Sequence, residues 1–188
     1  MLPETEKENI IMTTKKTQKL VFSGVCLALC LLLPFLTGQI QAIGNKISPM
    51  HIPVFLCGFL CGGLPGAAVG FVAPLMRSVM FGMPPMLPVG LAMSFELAGY
   101  GAVSGFLYRR SKQNTASTYA VLVAAMLAGR AVWGVASSII YTAMGRQFPF
   151  QMFVAGAFIN AVPGIILHLV IIPPIVLALK KAGLFANN

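Results

Sequence analysis

Three residues stand inside long apolar runs where charge and amide groups are costly: Glu96, Arg130 and Asn160. Counted from the nearest run ends at Met86, Thr142 and Gln151 on the helical rise, they lie roughly 15, 18 and 14 Å deep. That places one carboxylate, one guanidinium and one amide at a single level on three successive helices. A guanidinium recognises carboxylate or phosphate through parallel hydrogen bonds. Two readings follow. Glu96 and Arg130 form a structural ion pair, or the group is the floor of a pocket for a solute with an acidic group. Tyr100, one turn from Glu96, is placed to hydrogen-bond within the same group. Trp133, one turn from Arg130 and the single tryptophan, either stacks on a ligand ring or packs against lipid. Arg77 is expected near the group, about one turn from its own run end. His51 is expected at the outer mouth of a short helix and His168 in the inner half of the last one, far apart in depth. Met83 lies in a proline-rich loop expected to fold over the pocket.

These residues need membrane helices to hold them. Of 188 residues, 57% are hydrophobic and 9% are charged. Mean hydropathy is +0.86. A soluble domain carries about 25% charged residues, so this chain cannot cover a water-facing surface. Disorder is excluded by the abundance of hydrophobes. The net charge of +9 comes from 13 basic residues that do not gather on one face, which argues against nucleic acid. Apolar runs without period-two alternation exclude a barrel. The expected fold is an all-α integral membrane protein with six spans, near 20–40, 50–63, 66–81, 86–108, 118–142 and 151–179. Spans 2 and 3 are short for a core of about 30 Å. They either cross a thinned region, or are partly surrounded by protein, or form a re-entrant hairpin around Cys61-Gly62-Gly63-Leu64-Pro65-Gly66.

Basic residues set the orientation. With six spans both termini share one side, and that side holds Lys7, Lys15, Lys16, Lys19, Arg109, Arg110, Lys112, Lys180 and Lys181. The other holds Lys46 and Arg146, with Arg77 near it. The positive-inside rule places both termini in the cytoplasm. Residues 1–18 read as a polar tail with Met12 as an alternative start, 19–182 as one membrane domain, and 183–188 as a second tail. The first apolar run is too long for a cleaved signal peptide. Loops 39–49, 81–88 and 145–150 are apolar enough to fold back over the outer end.

Cys26 and Cys30, like Cys57 and Cys61, share a helix face by their spacing of four. They read as small packing residues; no metal-ligand spacing is present and no cofactor is expected. Gly24 and Ala28, with Ser23 beside them, form a small-residue face that lets another helix approach. Gly58, Gly62, Gly66 and Gly70 extend a second smooth surface, for internal packing or for a membrane partner.

Several segments together resemble a family. They are Ser48-Pro49-Met50-His51-Ile52-Pro53-Val54, the glycine-rich turn at 58–66, Ala73-Pro74-Leu75, Gly82-Met83-Pro84-Pro85, and Met93-Ser94-Phe95-Glu96-Leu97-Ala98-Gly99-Tyr100-Gly101. Over residues 18–182 the chain resembles the substrate-binding S component of an energy-coupling factor (ECF) vitamin transporter. The resemblance implies a bacterial plasma-membrane subunit that binds a vitamin, for example an anion such as pantothenate. It implies docking on a membrane-embedded coupling (T) protein served by two cytoplasmic ATPases. The family's first-span Ala-xxx-Ala contact is Gly24-xxx-Ala28 here. No Walker A sequence is present, so ATP hydrolysis belongs to partners. The substrate-binding candidates are Arg77, Met83, Glu96, Arg130, Trp133, Asn160 and His51; the docking candidates are Ser23, Gly24 and Ala28. A competing class is a stand-alone channel or secondary transporter. An intramembrane enzyme is disfavoured, because Ser94 and Ser137 lack an evident base.

Overall fold

The computed structural model describes residues 4–37 and 48–185. The described residues form helices and turns: α1 (Glu4–Leu32), α2 (His51–Cys61), α3 (Gly63–Phe81), α4 (Leu91–Arg110), α5 (Thr115–Ala143), α6 (Phe150–Val154) and α7 (Val162–Lys181). A short 3-10 turn, Leu33–Thr37, follows α1. A kinked turn, Met86–Gly90, leads into α4. A widened turn, Ala155–Ile159, joins α6 towards α7. Five helical stretches are long and apolar enough to cross a membrane, the last being Phe150–Lys181 taken together. The sixth apolar helix, α2, has only 11 residues, or about 16 Å.

The span ranges read from sequence recur, with changes in the first span and a break in the last, between Val154 and Val162. The helix of the first span runs back to Glu4 through the stretch read as a tail. That stretch is rich in Glu, Lys and Gln, which sustain helix well. The α-helix of the first span ends at Leu32, before a 3-10 turn containing Pro34, and the apolar helical stretch runs on to Leu36. Its expected end at residue 40, loop positions 39–47 and the last tail residues 186–188 lie outside the described residues.

Helix α2 is short because it is wrapped in protein: nine of its eleven residues are buried. Gly62, with φ of 102°, turns the chain back on itself in one residue, a conformation only glycine adopts without strain. α2 and α3 therefore form a helical hairpin, and α4 runs antiparallel to α3. The register is set by small residues. Gly63 faces Gly105, Gly66 faces Gly101, Gly70 faces Leu97, and Ser78 faces Gly90. A methyl group on Gly66 would lie 2.7 Å from Gly58 Cα and 2.8 Å from the Gly101 carbonyl oxygen. The glycines at 58, 66 and 70 thus serve internal packing. With the hydrophobic effect absent between helices in lipid, such close backbone contact is what holds them together.

Helix α4 is the centre, packed by α2, α3 and α5, while α7 closes on α2 and α5. α1 is peripheral and rests on α2 and α3. An Asn114–Ser117 capping box starts α5, and the Lys180 ammonium donates to the Gln113 carbonyl at 2.7 Å. The α4–α5 loop and the end of α7 therefore share one face of the bundle, here the Gln113 end. The opposite face, with Gly82 and Gly145, is the Gly82 end.

Candidate functional site

Glu96 is the hub. It lies two turns into α4, roughly 9 Å from Gly90, and is 4% exposed. Arg130 Nη1 donates to Glu96 Oε1 at 2.9 Å. The Tyr100 hydroxyl donates to the same oxygen at 2.7 Å. His51 Nε2 stands 4.0 Å from it. Position 129 explains how Arg130 reaches. Gly129 lets α5 lie against the Tyr100 ring, and a methyl there would meet that ring. Tyr100 reaches because it lies four residues on along the same helix face.

His51 and His168 are brought together, contrary to the depths expected from the sequence. Their rings stack with centroids 5.7 Å apart, and both are buried. The depth count took α2 to begin at the membrane surface. In fact α2 is short and its first residue lies level with Glu96. His168 also donates from Nε2 to the Ser48 carbonyl at 3.4 Å, since a carbonyl only accepts. Phe55 completes the group, stacking on Tyr100 at 4.7 Å and meeting His168 at 5.8 Å. Four helices therefore converge on one carboxylate. Neither His168 nor Phe55 was among the binding candidates read from the sequence. The available signal was that residue 55 follows His51 by one helical turn.

Other expected site residues sit elsewhere. Arg77 does not join Glu96; its guanidinium donates to the Leu31 carbonyl at 2.6 Å and lies over the rings of Phe35 and Phe81. Asn160 is exposed at the end of the widened turn, about two helical turns from His168 on the Gly82 side. The count that put it level with Glu96 assumed one continuous helix from Gln151. Trp133 faces neither a free cavity nor lipid alone. Its ring packs on Phe148 and Phe153 and against Gly156. Met83 is half-buried in the loop before Met86–Gly90. That loop is tied down by the Ser78 hydroxyl, which donates to the Pro84 carbonyl at 2.6 Å.

On α1, Gly24 and Ala28 are exposed, and a methyl on Gly24 would have nothing within 4 Å. Ser23 turns the other way. Its hydroxyl donates to Lys19 and accepts from the Cys57 thiol at 3.7 Å. The two cysteine pairs meet at the α1–α2 seam, all four buried and unbridged. Among the described residues no three histidines, cysteines or carboxylates are arranged to hold a metal.

Two hollows lie away from Glu96. One, about 450 Å³, is a wholly apolar groove between Phe95 and Val132, Val135 and Ile139. The other, about 510 Å³, is lined by Ser138, Thr142, Arg146 and Gln147 at the Gly82 end. Neither is lined by the residues that cluster on Glu96. The buried charged groups gather instead at Glu96: an ion pair with aromatic walls, in which Arg130 has its side chain 13% exposed. A guanidinium carries five donors, and Glu96 engages one edge.

No curated protein and no solved structure matches the chain significantly. The family described as "ECF transporter, substrate-specific component" matches residues 18–176. That match spans most of the chain, including every helix that contributes to the Glu96 cluster, and the chain belongs to the ECF transporter substrate-specific component family.

Proposed function

We propose that this protein captures a vitamin or related micronutrient bearing an anionic or strongly hydrogen-bonding group, of which pantothenate is one example. Its family consists of substrate-binding membrane subunits of ECF transporters rather than enzymes. Within that role the Glu96–Arg130 pair forms the floor of the binding region, approached from the Gly82 end. The observation carrying this reading is Arg130, held at depth by Glu96 yet partly accessible. Glu96 fixes the guanidinium's position and offsets its charge; the remaining donors meet the substrate's acidic or carbonyl group. His51 and Tyr100 give the cluster an aromatic side for a planar portion. Met83, Trp133 and Asn160, nearer the Gly82 end, line the approach.

The Gln113 end faces the cytoplasm in this reading, because Arg109, Arg110, Lys112, Lys180 and Lys181 concentrate there. Both termini share that side, in a bacterial plasma membrane. The exposed Gly24–Ala28 face of α1 docks on a membrane-embedded coupling protein, and two cytoplasmic ATPases supply the energy. Ser23 supports that face from behind by its contact with Cys57.

The test is mass spectrometry of small molecules released from detergent-purified protein. A vitamin-like compound at about one per chain is expected from the natural sequence and its loss from Arg130→Ala. An Arg130→Ala protein of unchanged stability that retains the compound equally removes Arg130 from the site.

A further inference from the structure

Among the described residues Arg77 is a buried cation with no carboxylate partner. It is 3% exposed. The chain's acidic residues are Glu4, Glu6, Glu8 and Glu96. The first three lie at the far end of α1, and Glu96 is held by Arg130. An unpaired guanidinium at membrane depth is costly, so its compensation must come from neutral groups.

The compensation comes from α1. Leu31 is in that helix's last turn, where carbonyls lack intrahelical partners and the helix dipole is negative. Arg77 Nη1 donates to that carbonyl at 2.6 Å. The guanidinium lies 5.0 Å from the Phe35 ring centroid and 5.3 Å from that of Phe81. The two rings meet edge to face at 5.0 Å. Cation–π attraction is strongest when desolvated, as here. One side chain of α3 therefore grips the end of α1 and the 3-10 turn beyond it.

The next residue grips something else. Ser78 donates to the Pro84 carbonyl and accepts no methyl at Gly90, where one would lie 2.7 Å from its hydroxyl. Gly82 N–H closes on the Ser78 carbonyl at 3.0 Å. Through these contacts the segment Gly82–Gly90 is fastened to the same turn of α3. The kinked part, Met86–Gly90, packs on α3, α4 and α5, at the end of the bundle from which the proposed function has Arg130 approached.

We infer that Arg77 is a positioning residue that couples α1 to the Gly82–Gly90 segment, so that a partner seated on α1 shifts the cover of the substrate site. The inference rests on the docking of α1 stated above. A coupling claim needs an element that both sites bias; here that element is the α3 turn holding Arg77 and Ser78.

The experiment is hydrogen exchange by mass spectrometry on the full chain in lipid nanodiscs, alone and with the co-purified membrane coupling component of an ECF complex. Arg77→Gln is compared with the natural sequence. Without the partner, amides at 30–37 are expected to lose protection about ten- to a hundred-fold, the equivalent of one hydrogen bond to a charged group. With the partner, the natural protein is expected to change exchange at Gly82, Met83, Met86, Leu87, Val89 and Gly90. Arg77→Gln is expected to retain the partner and lose that change. A variant that docks and still shows a full-sized change at 82–90 overturns the inference. Failure of the natural protein itself to retain the partner overturns the docking reading, and the coupling with it. Should Arg77→Gln not fold, Phe35→Leu takes its place, since it removes one ring and leaves the hydrogen bond. An undiminished change at 82–90 in Phe35→Leu overturns the inference; a partial loss supports it.

Discussion

Removing Arg130 should cost this protein more than removing both members of its ion pair. Arg130→Ala leaves the Glu96 carboxylate, 4% exposed, with the Tyr100 hydroxyl as its remaining donor. With the donor–acceptor distance at 2.9 Å, the charge centres are about 4 Å apart. At an effective dielectric of about 20 their attraction is about 4 kcal/mol. Truncating one partner of a buried pair costs about 3–5 kcal/mol by measurement on other proteins. The two figures agree, and the partial exposure of Arg130 favours the lower end, about 3 kcal/mol. The double variant Glu96→Gln with Arg130→Met keeps shape and removes both charges. It should fall within about 1 kcal/mol of the natural protein, because a desolvated pair gains little over neutral groups of similar volume. The assay is reversible unfolding in mixed micelles with rising sodium dodecyl sulfate, read by fluorescence of Trp133, the single tryptophan. A double-mutant cycle then yields the coupling. The reasoning is refuted if Arg130→Ala unfolds within about 1 kcal/mol of the natural protein, or if the double variant is as unstable as the sum of the singles.

Other consequences are separate. Gly24→Leu or Ala28→Leu should block assembly with the coupling protein while leaving co-purified small molecules at natural levels; pull-down beside mass spectrometry reads both. Gly101→Ala should destabilise by about 1–3 kcal/mol or more, since the new methyl meets the backbone of Gly66. Gly24→Ala should stay within about 0.5 kcal/mol, having open space; the same unfolding assay compares them. Cys26, Cys30, Cys57 and Cys61, all at most 5% exposed, should resist maleimide in the folded protein and react on unfolding, as a mass-shift assay would record.

Span positions were legible because they depend on runs of apolar residues and on Gly and Pro, which are local. The Glu96–Arg130 pairing was legible in its depth but not in its purpose. Tyr100 was legible by spacing along one helix. His51 with His168 was not. Their meeting depends on α2 being 11 residues long and starting at depth, which follows from its burial among α1, α3, α4 and α7 rather than from its own composition. Arg77 failed in the same way. Its position along α3 was read well, but the side chain's direction depends on which neighbour offers uncompensated carbonyls. That neighbour, the end of α1, is 46 residues away in sequence. Asn160 was misplaced because the widened turn at Ala155–Ile159 breaks the even rise on which a depth count relies.

The distribution of small and large residues bears on the choice between capture and free passage. From Glu96 towards the Gln113 end, α2, α3 and α4 are joined glycine to backbone at Gly58, Gly66, Gly101 and Gly105. The remaining space there is filled by Phe59, Leu97, Tyr108, Leu122 and Val176, all essentially inaccessible. A channel needs a line of polar groups from one face to the other. Here the charged groups stop at Glu96 and its partners, and the half beneath them is close-packed, its buried Ser104 and Thr118 hydroxyls bonded to the Gly101 and Asn114 carbonyls. Opening a path through that half would mean separating backbones in van der Waals contact, whereas moving the whole bundle leaves every such contact intact. On the function proposed above, a solute held above Glu96 leaves towards the Gln113 side more readily by motion of the protein than by motion through it. That agrees with a peripheral α1 whose small-residue face is open to a partner.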